Sequence, residues 1–179
     1  KLVTSSQMRG IDKKTIEVVG IPGLELMEKA GKGVAETAKG MLGDASNKKV
    51  AIFCGRGNNG GDGFVVGRYL EQWGAQVEFF LTAKKEEVKG DAKTNLKKAL
   101  ELKLPLREVL NEKEIPSPIG AHLIVDALFG TGFDGEITGY LKNLVESINA
   151  SGVPVLSVDI PSGLHADTGE FSGVCIKAT

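Results

Sequence analysis

Three short segments of the sequence carry small polar side chains among glycines, in a pattern that could bind a ligand. They are residues 55–63, 126–136 and 159–169, and each contains amide, hydroxyl or carboxylate oxygens. Such oxygens are the ligands that hard cations prefer, and glycines let the backbone approach an anionic group closely. The residue types therefore point to a small-molecule site, and no histidines and cysteines stand at zinc-binding spacing.

Each segment follows the end of a predicted buried strand. The apolar runs 50–54, 122–128 and 154–158 predict these strands, and helical patterns alternate with them along the chain. Such alternation predicts a mainly parallel sheet with helices on both faces. Because the carboxyl ends of parallel strands share one edge, where ligands bind, we expect the three segments to meet there.

The first segment contains the pattern G-x-G-x-x-G, as Gly55-Arg-Gly-Asn-Asn-Gly60. We predict a strand over 50–54, a glycine loop over 55–63 and a helix over 64–73. A nicotinamide dehydrogenase also needs an acidic residue at the tip of the next strand, about 20 residues on. The strand predicted over 76–82 has no carboxylate at its tip. A different kind of polar ligand-binding loop is therefore favoured, and a tight turn with solvated polar side chains is the alternative.

Two helical patterns precede the first strand, and they predict an added layer or a dimer surface. The first begins at Thr4 or Ser5, and the second runs from about 22 to 41, where Gly31 and Gly33 indicate close packing against a neighbour. Further predicted elements are a helix over 85–102, a short strand over 104–109, a loop marked by Pro116 and Pro118, a helix over 137–150 and the start of a strand over 174–179.

Length and composition limit the classes of function. The 179 residues predict one domain over 1–179, trimmed from a longer protein because the sequence begins without methionine and ends abruptly. The net charge of −1 argues against nucleic acid and acidic membranes as partners, and no apolar run is long enough to span a bilayer. Two distant cysteines predict no disulfide framework and fit the cytoplasm, and Cys54, inside an apolar strand, is expected to be a core residue.

The three segments together resemble the YjeF N-terminal domain family, which includes NAD(P)H-hydrate epimerases. The resemblance extends over essentially the whole chain, in order. It implies a Rossmann-like three-layer αβα sandwich, a homodimer, and interconversion of the R and S forms of hydrated NADH and NADPH with a bound potassium ion. The matching motifs are Leu26-Met-Glu-Lys-Ala-Gly31, Gly55-Arg-Gly-Asn-Asn-Gly-Gly-Asp-Gly63, Asp126-Ala-Leu-Phe-Gly-Thr-Gly132, Ser157-Val-Asp-Ile-Pro-Ser-Gly163 and Asp167-Thr-Gly169.

Carried over to this sequence, the resemblance also implies roles for individual residues. Asp159 would contact the reacting ring and act as the catalytic acid and base. The potassium ligands would be Asn59, Asp126 and Ser162. Besides Asp159, the substrate contacts would be Asn58, Asn59, Gly60, Gly61 and Asp62 in the first segment, and Gly130, Thr131, Gly132, Phe133, Asp134, Gly135 and Glu136 in the second.

Structural alternatives stay open for several of these residues. Asp126 could simply accept backbone N–H bonds at a strand end, and Asp159 and Ser162 could cap the turn that begins at Pro161. Asp134 stands where some family members carry a basic residue, so it is given no catalytic role. The family also includes non-catalytic nucleotide- or RNA-binding scaffold domains and fusions to a C-terminal hydrate dehydratase, and both arrangements remain open.

Overall fold

A parallel sheet of five strands forms the centre of the computed structural model, which describes residues 3–116 and 120–179. Its strands lie in the order β3-β2-β1-β4-β5, and every neighbouring pair is parallel. The predicted parallel sheet is thus confirmed. The bounds are β1 (Lys49–Cys54), β2 (Gln76–Leu81), β3 (Leu106–Glu108), β4 (Leu123–Ala127) and β5 (Val155–Ser157).

Helices cover both faces of the sheet, because the side chains of the strands alternate between two apolar layers. In β1, Ile52 and Cys54 pack with the helices of one face, whereas Ala51 and Phe53 pack with the other. The first face carries α2, α3 and α4, and the second carries α5. The helices are α1 (Ser5–Glu17), α2 (Gly23–Leu42), α3 (Asn58–Gln72), α4 (Gly90–Glu101) and α5 (Gly139–Ala150), with 3₁₀ turns at Lys85–Glu87 and Glu112–Glu114.

The predicted glycine loop is mostly helix. The helix expected from residue 64 begins at Asn58, so three glycines of the segment lie in its first two turns and are buried. Helix propensity alone disfavours this, since each glycine destabilises a helix by about 0.5–1 kcal/mol. The tertiary packing requires it, because a Cβ at Gly60 would overlap the carbonyl oxygen of Gly55. The helix therefore starts directly against the end of β1.

Other predicted boundaries also change. The helix expected over 85–102 is a 3₁₀ turn followed by α4, because Val88 is buried in extended backbone between them. Residues 174–179 form no strand, although the Thr179 N–H donates to the Val155 carbonyl at 2.9 Å. In the predicted proline loop, Pro116 is in a loop, and Pro118 lies outside the described residues. Within the described ranges, no helix is both long and apolar enough to cross a membrane.

The N-terminal helices pack differently from one another. In α2, Gly31 contacts α3, where an added Cβ would lie 2.5 Å from the Cβ of Val65, but Gly33 is exposed with nothing within 4 Å. Close packing was thus predicted correctly for the first glycine and wrongly for the second. In α1, capped by Thr4, the apolar side chains are largely exposed; they are Met8, Ile11 and Ile16, with Val18 and Val19 just beyond its end.

Candidate functional site

The three polar segments leave the same edge of the sheet, as predicted. The central strand β1 has β2 on one side and β4 on the other, and β5 lies beyond β4. Cys54 pairs in register with Ala127, and Asp126 pairs with Ser157. The segments that follow β1, β4 and β5 therefore begin side by side, at the crevice where the strand order reverses.

Asp126 is fully buried at the end of β4 and joins two of the segments. One carboxylate oxygen accepts hydrogen bonds from the Ser162 hydroxyl at 2.6 Å and the Leu128 N–H at 3.2 Å. The other accepts from the Ser157 hydroxyl at 2.8 Å and the Ser162 N–H at 2.9 Å. The Ser162 hydroxyl also accepts from the Phe129 N–H at 2.9 Å. Asp126 and Ser162 thus hold the second and third segments together.

The charge of Asp126 has no cationic side chain as a partner within residues 3–116 and 120–179. No lysine or arginine among the described residues forms an ion pair with it, and burial raises the pKa of its carboxyl group although the four hydrogen bonds oppose this. A buried carboxylate without a cation is costly, so a bound cation close by would stabilise it. Two of its four donors are backbone N–H groups, as the structural alternative for Asp126 predicts, and its role toward an ion stays a prediction.

Asn59 brings the first segment close to Gly130 of the second segment. Its amide oxygen lies 3.3 Å from the position of a Cβ on Gly130. Both amide atoms are buried, and neither has a hydrogen-bond partner among the described residues. Since buried polar groups are nearly always bonded, this amide is suited to a bound ligand. The amide oxygen, the hydroxyl of Ser162 and the carboxylate of Asp126 are all hard donors, so these residues fit a potassium ion.

Asp159 approaches the same side of Gly130. A Cβ there would stand 2.6 Å from a carboxylate oxygen of Asp159, so only glycine leaves room between Asp159 and Asn59. The same oxygen accepts the Thr131 N–H at 2.7 Å. Asp159 is exposed and has φ +67°, a left-handed conformation that is unusual for a non-glycine residue and typical of functional sites. Its bond runs to Thr131 and not to the turn at Pro161, which argues against the capping alternative.

Asp62 lies one turn after Asn59 on α3 and is half-buried. Burial raises the pKa of its carboxyl group to about 7, with further increases from the negative charges of Asp159 and Asp12. Asp12 is on α1, whose N-terminus is held by Asp167. The Asp167 carboxylate accepts both the backbone N–H and the hydroxyl of Ser5, at 2.6 and 2.9 Å. An N-terminal helix thus contributes a charge to the site.

The remaining predicted substrate residues fall into two groups. Those in the first segment surround the start of α3, where Asn58 is exposed and Gly60 and Gly61 are buried. The substrate residues of the second segment lie in two places. Gly130 and Thr131 lie beside Asp159, with Gly132 following, and the rest line a cavity of about 540 Å³ that continues to residues 163–172. The cavity residues of the second segment are Phe133, Asp134, Gly135 and Glu136.

Sequence reasoning assigned no role to Ser157 or Asp12. Ser157 could have been found from strand register, since it pairs with Asp126 across β4 and β5. Asp12 carries no sequence signal, because it reaches the site only through the docking of α1. Cys54 is buried in the core, as expected. His122 lies at the other end of the sheet, away from the site, where its imidazole accepts the Lys49 N–H.

Comparison with known proteins agrees with this architecture. A family model described as "YjeF-related protein N-terminus" matches residues 23–179. The crystal structure of the yeast protein ynu0 superposes with a TM-score of 0.85 at 28% identity, covering 99% of this chain and 77% of that one.

Two curated relatives are similar over 99% of this chain. The bifunctional NAD(P)H-hydrate repair enzyme Nnr of Moorella thermoacetica is 42% identical, and the chain spans only 34% of its length. The NAD(P)H-hydrate epimerase of Elusimicrobium minutum is 38% identical, and the chain covers 82% of it. The family match, the full-length similarity to the epimerase and the shared fold together establish that this chain belongs to the YjeF-related N-terminal family.

Proposed function

We propose that the chain is an NAD(P)H-hydrate epimerase, an isomerase that interconverts the R and S forms of hydrated NADH and NADPH in nicotinamide nucleotide repair. The observation that carries the proposal is the approach of Asn59 and Asp159 to the same side of Gly130. The preceding residue, Phe129, is hydrogen-bonded to Ser162 of the buried Asp126–Ser162 pair. The other support for the proposal is the 38% identity to a relative that is named for this activity.

The chemistry required is limited, and the site contains groups suited to it. The hydrated ring carries a hydroxyl on a carbon beside the ring nitrogen. If that C–O bond breaks, the oxygen leaves with the electron pair and takes a proton to become water. The nitrogen lone pair then forms the C=N bond of a flat iminium ion. Water adds to the other face and loses a proton, which inverts the centre. Asp159 is the proposed group that exchanges protons with the leaving and arriving oxygen.

The charge distribution suggests how the substrate lies. The first N–H groups of α3 face the crevice and are suited to its phosphates. The nicotinamide ring would reach Asp159, and the rest of the molecule could extend over residues 130–136 to the cavity. A potassium ion held by Asn59, Asp126 and Ser162 would supply positive charge that offsets the buried carboxylate and the substrate phosphates.

Three further parts of the proposal concern context. Exposed apolar side chains on α1 support a homodimer through that helix. The bifunctional relatives support fusion to a hydrate dehydratase domain. Both cysteines are free thiols, which supports a cytoplasmic location.

The experiment is an epimer-exchange assay. The purified S epimer of hydrated NADH is incubated with the protein in potassium buffer, and formation of the R epimer is followed by chromatography. We expect exchange well above the rate with heat-inactivated protein. Equal rates would refute the epimerase. Tight binding of the hydrate without exchange would instead support the non-catalytic scaffold domain.

A further inference from the structure

We propose that Asp62 is a second catalytic carboxyl group, which works with Asp159 on the proton transfers of the reaction. This inference rests on the proposed epimerase function and extends it. The family resemblance makes Asp62 only a substrate contact. Its position, bonding and surroundings in the structure point to a chemical role.

The first argument is position. Asp62 and Asn59 are three residues apart on α3, so they lie on the same face of the helix. Asn59 and Asp159 both approach the position that a Cβ on Gly130 would occupy. The negative charges that raise the pKa of Asp62 belong to Asp159, from the segment after β5, and Asp12, from α1. Two carboxyl groups thus approach the proposed reaction centre from different elements.

The second argument is bonding. Asp126 has four hydrogen-bond donors, whereas no donor among the described residues bonds to the carboxyl group of Asp62. A half-buried carboxyl group without donors, beside two like charges, does not stabilise the fold. Groups of this kind concentrate at catalytic sites, where a proton must be gained and lost.

The third argument is that Asp62 and Asp159 have different environments, which suit complementary roles. Burial and its acidic neighbours raise the pKa of Asp62 to about 7, so near neutral pH it can hold a proton to donate. Asp159 accepts the Thr131 N–H, which suits a carboxylate that takes up a proton. Paired carboxyl groups with different environments commonly divide the roles of acid and base in this way.

In the proposed reaction the two groups divide the two proton transfers. Protonated Asp62 gives its proton to the hydroxyl as the C–O bond breaks, and water leaves. Water then adds to the opposite face of the iminium ion and gives a proton to Asp159. After one turnover Asp62 is ionised and Asp159 is protonated, which is the state needed for the reverse reaction. Proton exchange with solvent restores the starting state.

The test compares wild type with Asp62→Asn for conversion of the S epimer, over about pH 5 to 9. We expect kcat to fall by about 10²-fold or more with KM changed much less. In wild type, kcat/KM in one direction should show an inflection near pH 7, and Asp62→Asn should lack it. A variant that keeps its kcat, or that changes only KM, would overturn the proposal.

Asp12→Asn is the second variant and does not depend on whether Asp62→Asn folds. Removal of this negative charge should move the inflection to lower pH while the plateau kcat is retained. Glu17→Gln, an exposed change of the same charge on α1, should leave the profile unmoved. An inflection that stays in place in Asp12→Asn would overturn the role of Asp62. If wild type shows no exchange, the proposed function itself fails, and that result is distinct from an active wild type with an active Asp62→Asn.

Discussion

Asp62→Asn should stabilise the protein, and the gain should depend on pH. The carboxyl group of Asp62 is half-buried beside Asp159 and Asp12 and has no hydrogen-bond donor among the described residues. Asparagine has nearly the same shape and carries no charge. The substitution therefore removes an unfavourable charge at high pH and changes little at low pH, where Asp62 is protonated.

The magnitude follows from the pKa. In the folded protein the pKa of Asp62 rises from 3.8 to about 7, so between these values the folded state holds a proton that the unfolded state has lost. Stability then falls as pH rises through this range. One pKa unit corresponds to about 1.36 kcal/mol, which sets an upper limit of about 4 kcal/mol. The dipole of α3 and partial access to water favour the ionised form, so we expect about 2–4 kcal/mol.

The assay is urea unfolding at about pH 4, 6 and 8 in a buffer of choline salts, which excludes potassium. The free energy of unfolding of Asp62→Asn should equal that of wild type at the lowest pH and exceed it by about 2–4 kcal/mol at the highest. Glu17→Gln serves as the control and should stay within about 0.5 kcal/mol of wild type throughout. A constant difference between Asp62→Asn and wild type at all three pH values would refute the reasoning.

Four further results are expected. Asp159→Asn should keep the fold and ligand binding but lower kcat by about 10²–10⁴-fold, and near-normal turnover would remove Asp159 from its role. Asp126→Ala should lower the free energy of unfolding by about 3–5 kcal/mol, because four donors lose their acceptor, and a loss under about 1 kcal/mol in a urea titration would contradict this. By the same measurement, Gly31→Ala should destabilise the protein by about 1–3 kcal/mol, because the added methyl group would overlap Val65. The exposed substitution Gly33→Ala should stabilise the protein by about 0.5–1 kcal/mol. Equal effects of the two substitutions would argue against close packing of α2 on α3. Replacement of potassium by tetramethylammonium should weaken hydrate binding or exchange, and indifference to the replacement would count against the ion site.

Much of the site could be predicted because its residues follow strands. Asp126 and Ser162 stand near the ends of apolar runs, and the geometry of parallel sheets places such positions at one edge. The start of α3 could not be predicted in the same way. Its glycines indicate a loop by local propensity, and only contact with the end of β1 keeps them helical. The roles of Asn59, Asp126, Asp159 and Ser162 toward substrate and ion stay predictions.

The sheet, its two helical layers and the edge at which ligands are expected to bind could all be predicted from the sequence. These follow from hydrophobic periodicity, which is a local property of the chain. The packing of distant segments sets the electrostatics of the site. Within the part of the chain that the structure describes, Asp126 is buried without a cationic partner, the Asn59 amide has no hydrogen-bond partner, and Asp62 lies beside two like charges. These properties arise from groups far apart in sequence, such as Asp126 and Ser162, which are 36 residues apart. Burial and hydrogen bonding depend on that distant packing, so no local pattern in the sequence encodes them.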